Sequence, residues 1–179
     1  MNKPLIILDR DGVINFDSDD YIKSVDEWRP INSSLTAIAN LTRAGYLVAV
    51  ATNQSGLSRG FFTPEVLADI HDKMTRLIQD RGGNLDAIEF CPDHPDQAGP
   101  DRKPAPGMLL RLIKQFDANA SNTWFVGDTL SDINCAKNAG CKPALVLTGK
   151  GKSTLENPAL DTDVPVFNNL LSFTEKTLS

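Results

Sequence analysis

Leu5-Ile6-Ile7-Leu8-Asp9-Arg10-Asp11-Gly12 is the stretch on which the fold of this chain turns. Four apolar residues in a row, without polar alternation, suit a strand buried on both faces, as strands of parallel sheets are. The run closes on Asp9 and Asp11, so its carboxyl end presents two carboxylates. Downstream the pattern recurs. Tyr46 to Ala51 is a second apolar run ending at Thr52-Asn53, Asp86–Cys91 a third, and Thr123–Val126 a fourth closing on Gly127-Asp128. Ala144–Leu147 and the short Val164–Phe167 complete the set of expected strands.

Helical patterns fill the intervals. Leu35, Ile38, Ala39 and Leu41 share one face ahead of Gly45. Thr63-Pro64 supplies an N-cap and a first-turn proline for a helix that carries Val66, Leu67, Ile70, Met74, Leu77 and Ile78 and stops at Gly82-Gly83. Pro106 opens another, with Met108, Leu109, Leu112, Ile113 and Phe116 turned inward, and a further helix runs from about Ser131 to Ala139. A Gly/Lys/Ser-containing loop follows the fifth strand, and a last helix ends the chain. This β-α alternation, without internal repeats, predicts an α/β fold: a doubly wound, mainly parallel sheet with helices on both faces, one domain over residues 1–179. Ligands of such sheets bind at the carboxyl ends of the strands.

With 179 residues and 41% apolar content the chain can build its own core. A net charge of −5 and the absence of any Lys/Arg run argue against nucleic-acid binding. The N-terminus lacks the apolar stretch of a signal peptide, and no run is long enough to span a membrane. Three cysteines without a CxxC suit a reducing cytoplasm, and a cytoplasmic monomer is expected. An anionic substrate must then be held by a few local cations, a metal or backbone N–H groups.

Three of the expected strands end in polar residues at one rim: Asp9 and Asp11, Thr52-Asn53, and Asp128. Asp-x-Asp-Gly alone can be a plain turn. Carboxylates gathered at strand ends, however, raise one another's pKa unless a cation lies among them, and an oxygen-only ligand set suits Mg²⁺. No GxxxxGK[ST] is present, so nucleotide hydrolysis of that type is not indicated. Asp9, on the strand end, is the candidate nucleophile for an aspartyl phosphate. Asp11 is the candidate general acid/base, provided its pKa is high enough for it to start protonated. Thr52 and Asn53 offer donors to phosphate oxygens, while Lys103 in Arg102-Lys103-Pro104 offers charge or is half of a solvated loop pair.

These motifs resemble the haloacid dehalogenase-like superfamily: Leu8-Asp9-Arg10-Asp11-Gly12-Val13-Ile14-Asn15, Val50-Ala51-Thr52-Asn53, Lys103-Pro104, and Val126-Gly127-Asp128 with Asp132, in order and spacing. The resemblance implies Asp9 as nucleophile, Asp11 as acid/base, and Thr52 and Lys103 as phosphate holders. It also implies Mg²⁺ on Asp9, Asp128 and the backbone carbonyl of Asp11, with Asp132 supporting the loop. Within the superfamily, Thr52–Gly60, Arg102-Lys103-Pro104 and Pro106–Leu109 look like the heptose bisphosphate and histidinol phosphatases, small bodies without a cap domain. Their substrate contacts map onto Asp17, Asp20 and Tyr21 of the first loop, onto Thr52, Asn53, Gln54 and Ser55, onto Arg102 and Lys103, and onto Thr129, where the family usually has lysine.

These relatives commonly carry a structural zinc on four Cys/His ligands ahead of Arg-Lys-Pro. Here Asp93 stands at the histidine position and both later cysteines are missing, leaving Cys91 and His94, so zinc is not expected. His71 is expected to meet solvent or a neighbouring helix, Cys135 and Cys141 to be inert, and Phe16 and Trp28 either to wall the site or to pack the first loop. The implied activity is removal of the 7-phosphate from a heptose 1,7-bisphosphate, a sugar phosphate on the way to cell-surface polysaccharide. Histidinol-phosphate hydrolysis is the alternative enzyme. A receiver-like phosphoacceptor module is the non-enzymatic one, disfavoured because Asp11 would hasten hydrolysis.

Overall fold

A computed structural model describes residues 3–179. Six strands form one sheet: β1 (Leu5–Leu8), β2 (Leu47–Asn53), β3 (Ala87–Cys91), β4 (Trp124–Gly127), β5 (Lys142–Val146) and β6 (Val166–Phe167). Their order is β3-β2-β1-β4-β5-β6, and every pairing is parallel. β1 lies between β2 and β4, so the chain winds outward from it in both directions and its carboxyl end sits at the topological switch point. The helices are α1 (Asn32–Arg43), α2 (Pro64–Asp80), α3 (Gly107–Gln115), α4 (Leu130–Asn138), α5 (Gly151–Leu155) and α6 (Leu170–Leu178).

The period of two along β1 divides the core. Ile6 and Leu8 pack with Ile38 of α1, Ile70 and Met74 of α2, and Phe173 of α6 on one face. Leu5 and Ile7 pack with Met108, Leu109 and Leu112 of α3 and Cys135 and Ala136 of α4 on the other. All four β1 side chains are buried, each contributing roughly 1.5–3 kcal/mol of apolar transfer. The strand that leads into Asp9 is therefore anchored on both faces of the sheet.

The elements follow the sequence pattern, with local differences. β2 starts after Tyr46 and runs through Thr52-Asn53, because its pairing with β3 continues to Asn53 and Cys91. The loop expected after β5 contains α5, whose five residues are too few to show a helical period. β6 is reduced to Val166–Phe167. Of the two loop aromatics, Trp28 is fully buried under the Lys73 ammonium, which also donates to the carbonyls of Val25 and Trp28, so Trp28 packs the first loop. Phe16 remains exposed. Among the described residues no helix is long and apolar enough to cross a membrane.

Candidate active site

A cavity of about 290 Å³ opens at the carboxyl ends of β1, β2 and β4, lined by Asp9, Asp11, Thr52, Lys103, Asp128 and Lys150 among others. A second cavity of about 250 Å³ shares Asp11, Asp17, Asn53, Arg102 and Lys150 with it and extends to Tyr21, Gln54 and Ser55.

Asp9 extends directly from β1. Its Oδ1 accepts the Arg10 N–H at 2.8 Å and the Lys103 ammonium at 2.8 Å, and no donor among the described residues reaches Oδ2. Lys103 is buried and also meets Asp132 Oδ1 at 2.7 Å and the carbonyl of Ala51 at 3.0 Å. One ammonium thus ties together β1, the end of β2 and α4. Burial works against its charge, but Asp132 and Asp9 outweigh that and hold Lys103 above the usual lysine range.

Asp132 is committed on both oxygens. Oδ1 faces Lys103, while Oδ2 accepts the N–H groups of Asp128 and Thr129 and the Thr129 hydroxyl. Thr129 accepts the Asp132 N–H in return, so the two form a capping box at the start of α4. Asp128, the last residue before that box, accepts the Lys150 N–H on Oδ2, while its buried Oδ1 has no hydrogen-bond partner among the described residues. Gly12 and Gly149 make this proximity possible. Both have positive φ, +81° and +57°, and a Cβ on either would lie 2.2 Å from Asp128 Oδ2.

Asp9, Asp128 and Asp132 offer carboxylate oxygens within 4.8 Å of one another. With Asp132 engaged by Lys103 and the cap, the oxygens left without a donor among the described residues are Asp9 Oδ2 and Asp128 Oδ1, and the Asp11 carbonyl likewise accepts no hydrogen bond among them. Burial, then neighbouring carboxylates, push the pKa values of Asp9 and Asp128 above the carboxylate range. Hard oxygens, an orphaned buried Oδ1 and excess negative charge fit a small divalent cation. The sign of the linkage gives a prediction. Raised carboxylate pKa values give the cation-free protein a contribution to stability that is full below the ordinary carboxylate range and is lost as pH rises through the raised values. Its thermal midpoint is therefore expected to fall between about pH 5 and pH 8, and millimolar Mg²⁺ to lift it most at the upper end, as differential scanning fluorimetry will show.

Asp11 departs from the sequence reading. Burial would raise its pKa, but the Arg10 guanidinium and hydrogen bonds from Asn15, Arg10 and Gln54 hold it below the usual range. It rests as a carboxylate, not as the protonated acid that the sequence argument required. Arg10 Nε and Nη2 and Asn15 Nδ2 all donate to Oδ1, while Gln54 Nε2 donates to Oδ2 at 2.9 Å.

Other expected contacts are redistributed. Asn53 borders both cavities, but its Oδ1 accepts the Lys103 N–H and one Nδ2 hydrogen goes to the Lys103 carbonyl, clamping that backbone. Gln54 Nε2 bridges Asp11 and the Thr52 hydroxyl, and Ser55 lines the second cavity. Arg102 borders both cavities while Nη1 donates to the Asp93 carbonyl, and the Asp93 carboxylate accepts the Gly99 N–H, so Asp93 organises the shortened loop. Asp17 borders both cavities and Thr129 the first. Tyr21, at φ +64°, sits edge-on to Phe61 beside the second. Asp20 lines neither; it faces a separate outer depression with Lys23 and Arg29.

Cys91, Cys135 and Cys141 are buried, with burial raising all three thiol pKa values, and His94 Nδ1 accepts the Asp96 N–H. His71 is likewise buried rather than solvent-facing, and it meets Arg10. Lys150 was missed from sequence. Its ammonium stands 3.6 Å from Asp17 and 3.6 Å from Asp19 at the rim shared by the two cavities. The clue was present in Thr148-Gly149-Lys150, which directly follows a strand of the same rim.

A family model for HAD-hydrolase-like proteins matches residues 101–173, the part that contributes Lys103, Asp128 and Lys150. Fold and site are those of a haloacid dehalogenase-like hydrolase. A D-glycero-β-D-manno-heptose-1,7-bisphosphate 7-phosphatase of Neisseria meningitidis is 53% identical over 174 residues, 96% of this chain and 92% of the relative. One from Pseudomonas aeruginosa is 50% identical over 158 residues, 88% and 89% of the two chains. The crystal structure of a D,D-heptose 1,7-bisphosphate phosphatase from B. bronchiseptica, complexed with magnesium and phosphate, superposes with TM-score 0.95 at 47% identity, covering 98% of each chain. The present chain belongs to the D-glycero-D-manno-heptose-1,7-bisphosphate 7-phosphatase family.

Proposed function

We propose that this chain is a Mg²⁺-dependent phosphatase that removes the 7-phosphate of D-glycero-β-D-manno-heptose 1,7-bisphosphate through an aspartyl phosphate on Asp9. The observation that carries this reading is the Asp9 carboxylate, fixed through Oδ1 by Lys103 and the Arg10 N–H, with no donor on Oδ2 among the described residues, in a cavity that Asp11 also lines. The names of relatives covering nearly the whole chain supply the substrate.

Asp9, Asp128 and the Asp11 carbonyl would hold Mg²⁺, which would neutralise charge between phosphate and nucleophile. Asp9 Oδ2 attacks phosphorus and the bond to the sugar oxygen breaks. A phosphate monoester, with a second pKa of about 6, can deliver a proton to Asp11 Oδ2, which returns it to the leaving oxygen. Asp11, again a carboxylate, then takes a proton from the incoming water. The water oxygen bonds to phosphorus, the bond to Asp9 breaks, and the proton taken by Asp11 passes to the departing inorganic phosphate, which restores both carboxylates.

Lys103 and the Thr52 hydroxyl face the transferring phosphoryl group. The sugar occupies the second cavity, where Arg102 and Lys150 meet the 1-phosphate and Asp17, Tyr21, Gln54 and Ser55 complete the wall. A single domain over residues 1–179 supplies every group, so the reading needs no second subunit. Three free buried cysteines suit the cytoplasm.

Side-by-side turnover of the β and α anomers of the bisphosphate and of histidinol phosphate tests the reading. The β anomer is expected to give the highest kcat/KM, and a higher value for histidinol phosphate would overturn it. In the same assay Lys150→Ala is expected to raise KM for the bisphosphate about tenfold, in line with a lost hydrogen bond to a charged group. The 7-monophosphate, which has no distal phosphate, should keep its KM within about twofold.

A further inference from the structure

We infer that His71, on α2 and outside both cavities, is a positioning residue for Asp11, acting through the buried guanidinium of Arg10. The inference rests on the proposed roles of Asp9 and Asp11. The side chain of Arg10 is only 1% exposed, and its N–H groups must all point at acceptors because guanidinium cannot accept or lose a proton. Nε and Nη2 donate to Asp11 Oδ1 at 3.0 and 2.8 Å. Nη1 lies 3.2 Å from His71 Nε2, and since arginine only donates, that nitrogen is the acceptor. His71 is itself buried, on a helix 61 residues away in sequence, with its ring beside that of Phe90.

The geometry gives the contact a purpose. With the Asn15 amide, Arg10 places three N–H donors on Asp11 Oδ1, whereas among the described residues Oδ2 takes only Gln54, in a side chain that lines the same cavity as Asp9. The two oxygens are therefore inequivalent, and the fork of Arg10 sets which one faces the reaction. A fork on a flexible side chain holds direction only if its far end is held too. Arg10 Nη1 finds that hold on α2 rather than on its own loop. Without an acceptor at residue 71 the guanidinium can swing and the carboxylate rotates with it. Nothing in this chain of contacts places His71 against substrate.

The test uses 4-nitrophenyl phosphate with Mg²⁺. Its leaving group needs no proton, so a misaligned Asp11 slows chiefly the hydrolysis of the aspartyl phosphate. His71→Leu is expected to lower kcat about tenfold while kcat/KM stays within about twofold, because KM falls as the intermediate accumulates. His71→Gln, which restores an acceptor, should recover kcat to within about threefold of the wild-type value. Arg10→Lys, which keeps the charge but not the fork, should reproduce the His71→Leu split. A kcat within twofold of wild type for His71→Leu overturns the inference. So does a parallel fall of kcat and kcat/KM that glutamine does not recover, the mark of a merely structural histidine. If His71→Leu does not fold, Arg10→Lys decides by the same split. Asp9→Asn, run alongside, separates the two levels: wild-type turnover there would remove the covalent reading itself.

Discussion

Asp9→Asn is expected to reduce kcat by at least about 10⁴-fold while leaving the cation-free protein as stable as the wild type or more so. The amide occupies the same space and can still accept the Lys103 and Arg10 hydrogen bonds on its oxygen, but it cannot form a phosphoenzyme. It also removes one of the carboxylates whose mutual repulsion and burial raise the pKa values of Asp9 and Asp128. Activity and stability thus move in opposite directions, the signature of strain stored at a reacting centre. The checks are phosphate release under Mg²⁺ and thermal melting without it. Near-wild-type turnover would exclude the covalent route, and a collapsed melting point would show that the residue is structural.

Lys103→Met is expected to be the most destabilising single change in the site, about 3–5 kcal/mol at neutral pH, and to abolish turnover. The ammonium is buried and shared by Asp9 and Asp132, at 2.8 and 2.7 Å. Methionine fills the volume but leaves two buried carboxylates without a counter-charge. The penalty should shrink as pH falls and Asp9, whose pKa is already raised by burial, takes up a proton. It should also shrink in Lys103→Met/Asp132→Asn, where one unpaired charge is gone. Urea unfolding of the single and double variants at two pH values measures both effects. A cost under about 1 kcal/mol would mean that Lys103 is solvated in solution.

The strand ends were the most legible part of the molecule. Apolar runs at Leu5–Leu8 and Thr123–Val126 close on aspartates, and parallel sheets bring such ends to one rim, so Asp9, Asp11 and Asp128 could be placed together before any coordinates. What escaped was everything set by side-chain direction. Asn53 reads as a phosphate donor by its position after an apolar run, yet its amide clamps the Lys103 backbone. Asp20 reads as part of the first loop's grip, but the turn at Tyr21 leaves it facing outward. The state of Asp11 depends on Arg10 and Gln54 converging on it from two loops, a balance of burial against donors that no spacing encodes. Lys150 went unnoticed because the loop that carries it holds a helix of only five residues.

β1 is the inner strand from which the sheet winds both ways, whereas the second cavity is walled by Asp17, Ser18, Tyr21 and Ser55, which lie outside the strands. This separation gives the molecule two independent evolutionary clocks. Replacements around the outer cavity can retune which phosphate ester is accepted without disturbing the buried strand that holds the nucleophile. Replacements along Leu5–Leu8 can do the reverse only at the expense of the whole fold. New substrate preferences in this scaffold should therefore arise by drift in its loops, with the chemistry inherited unchanged.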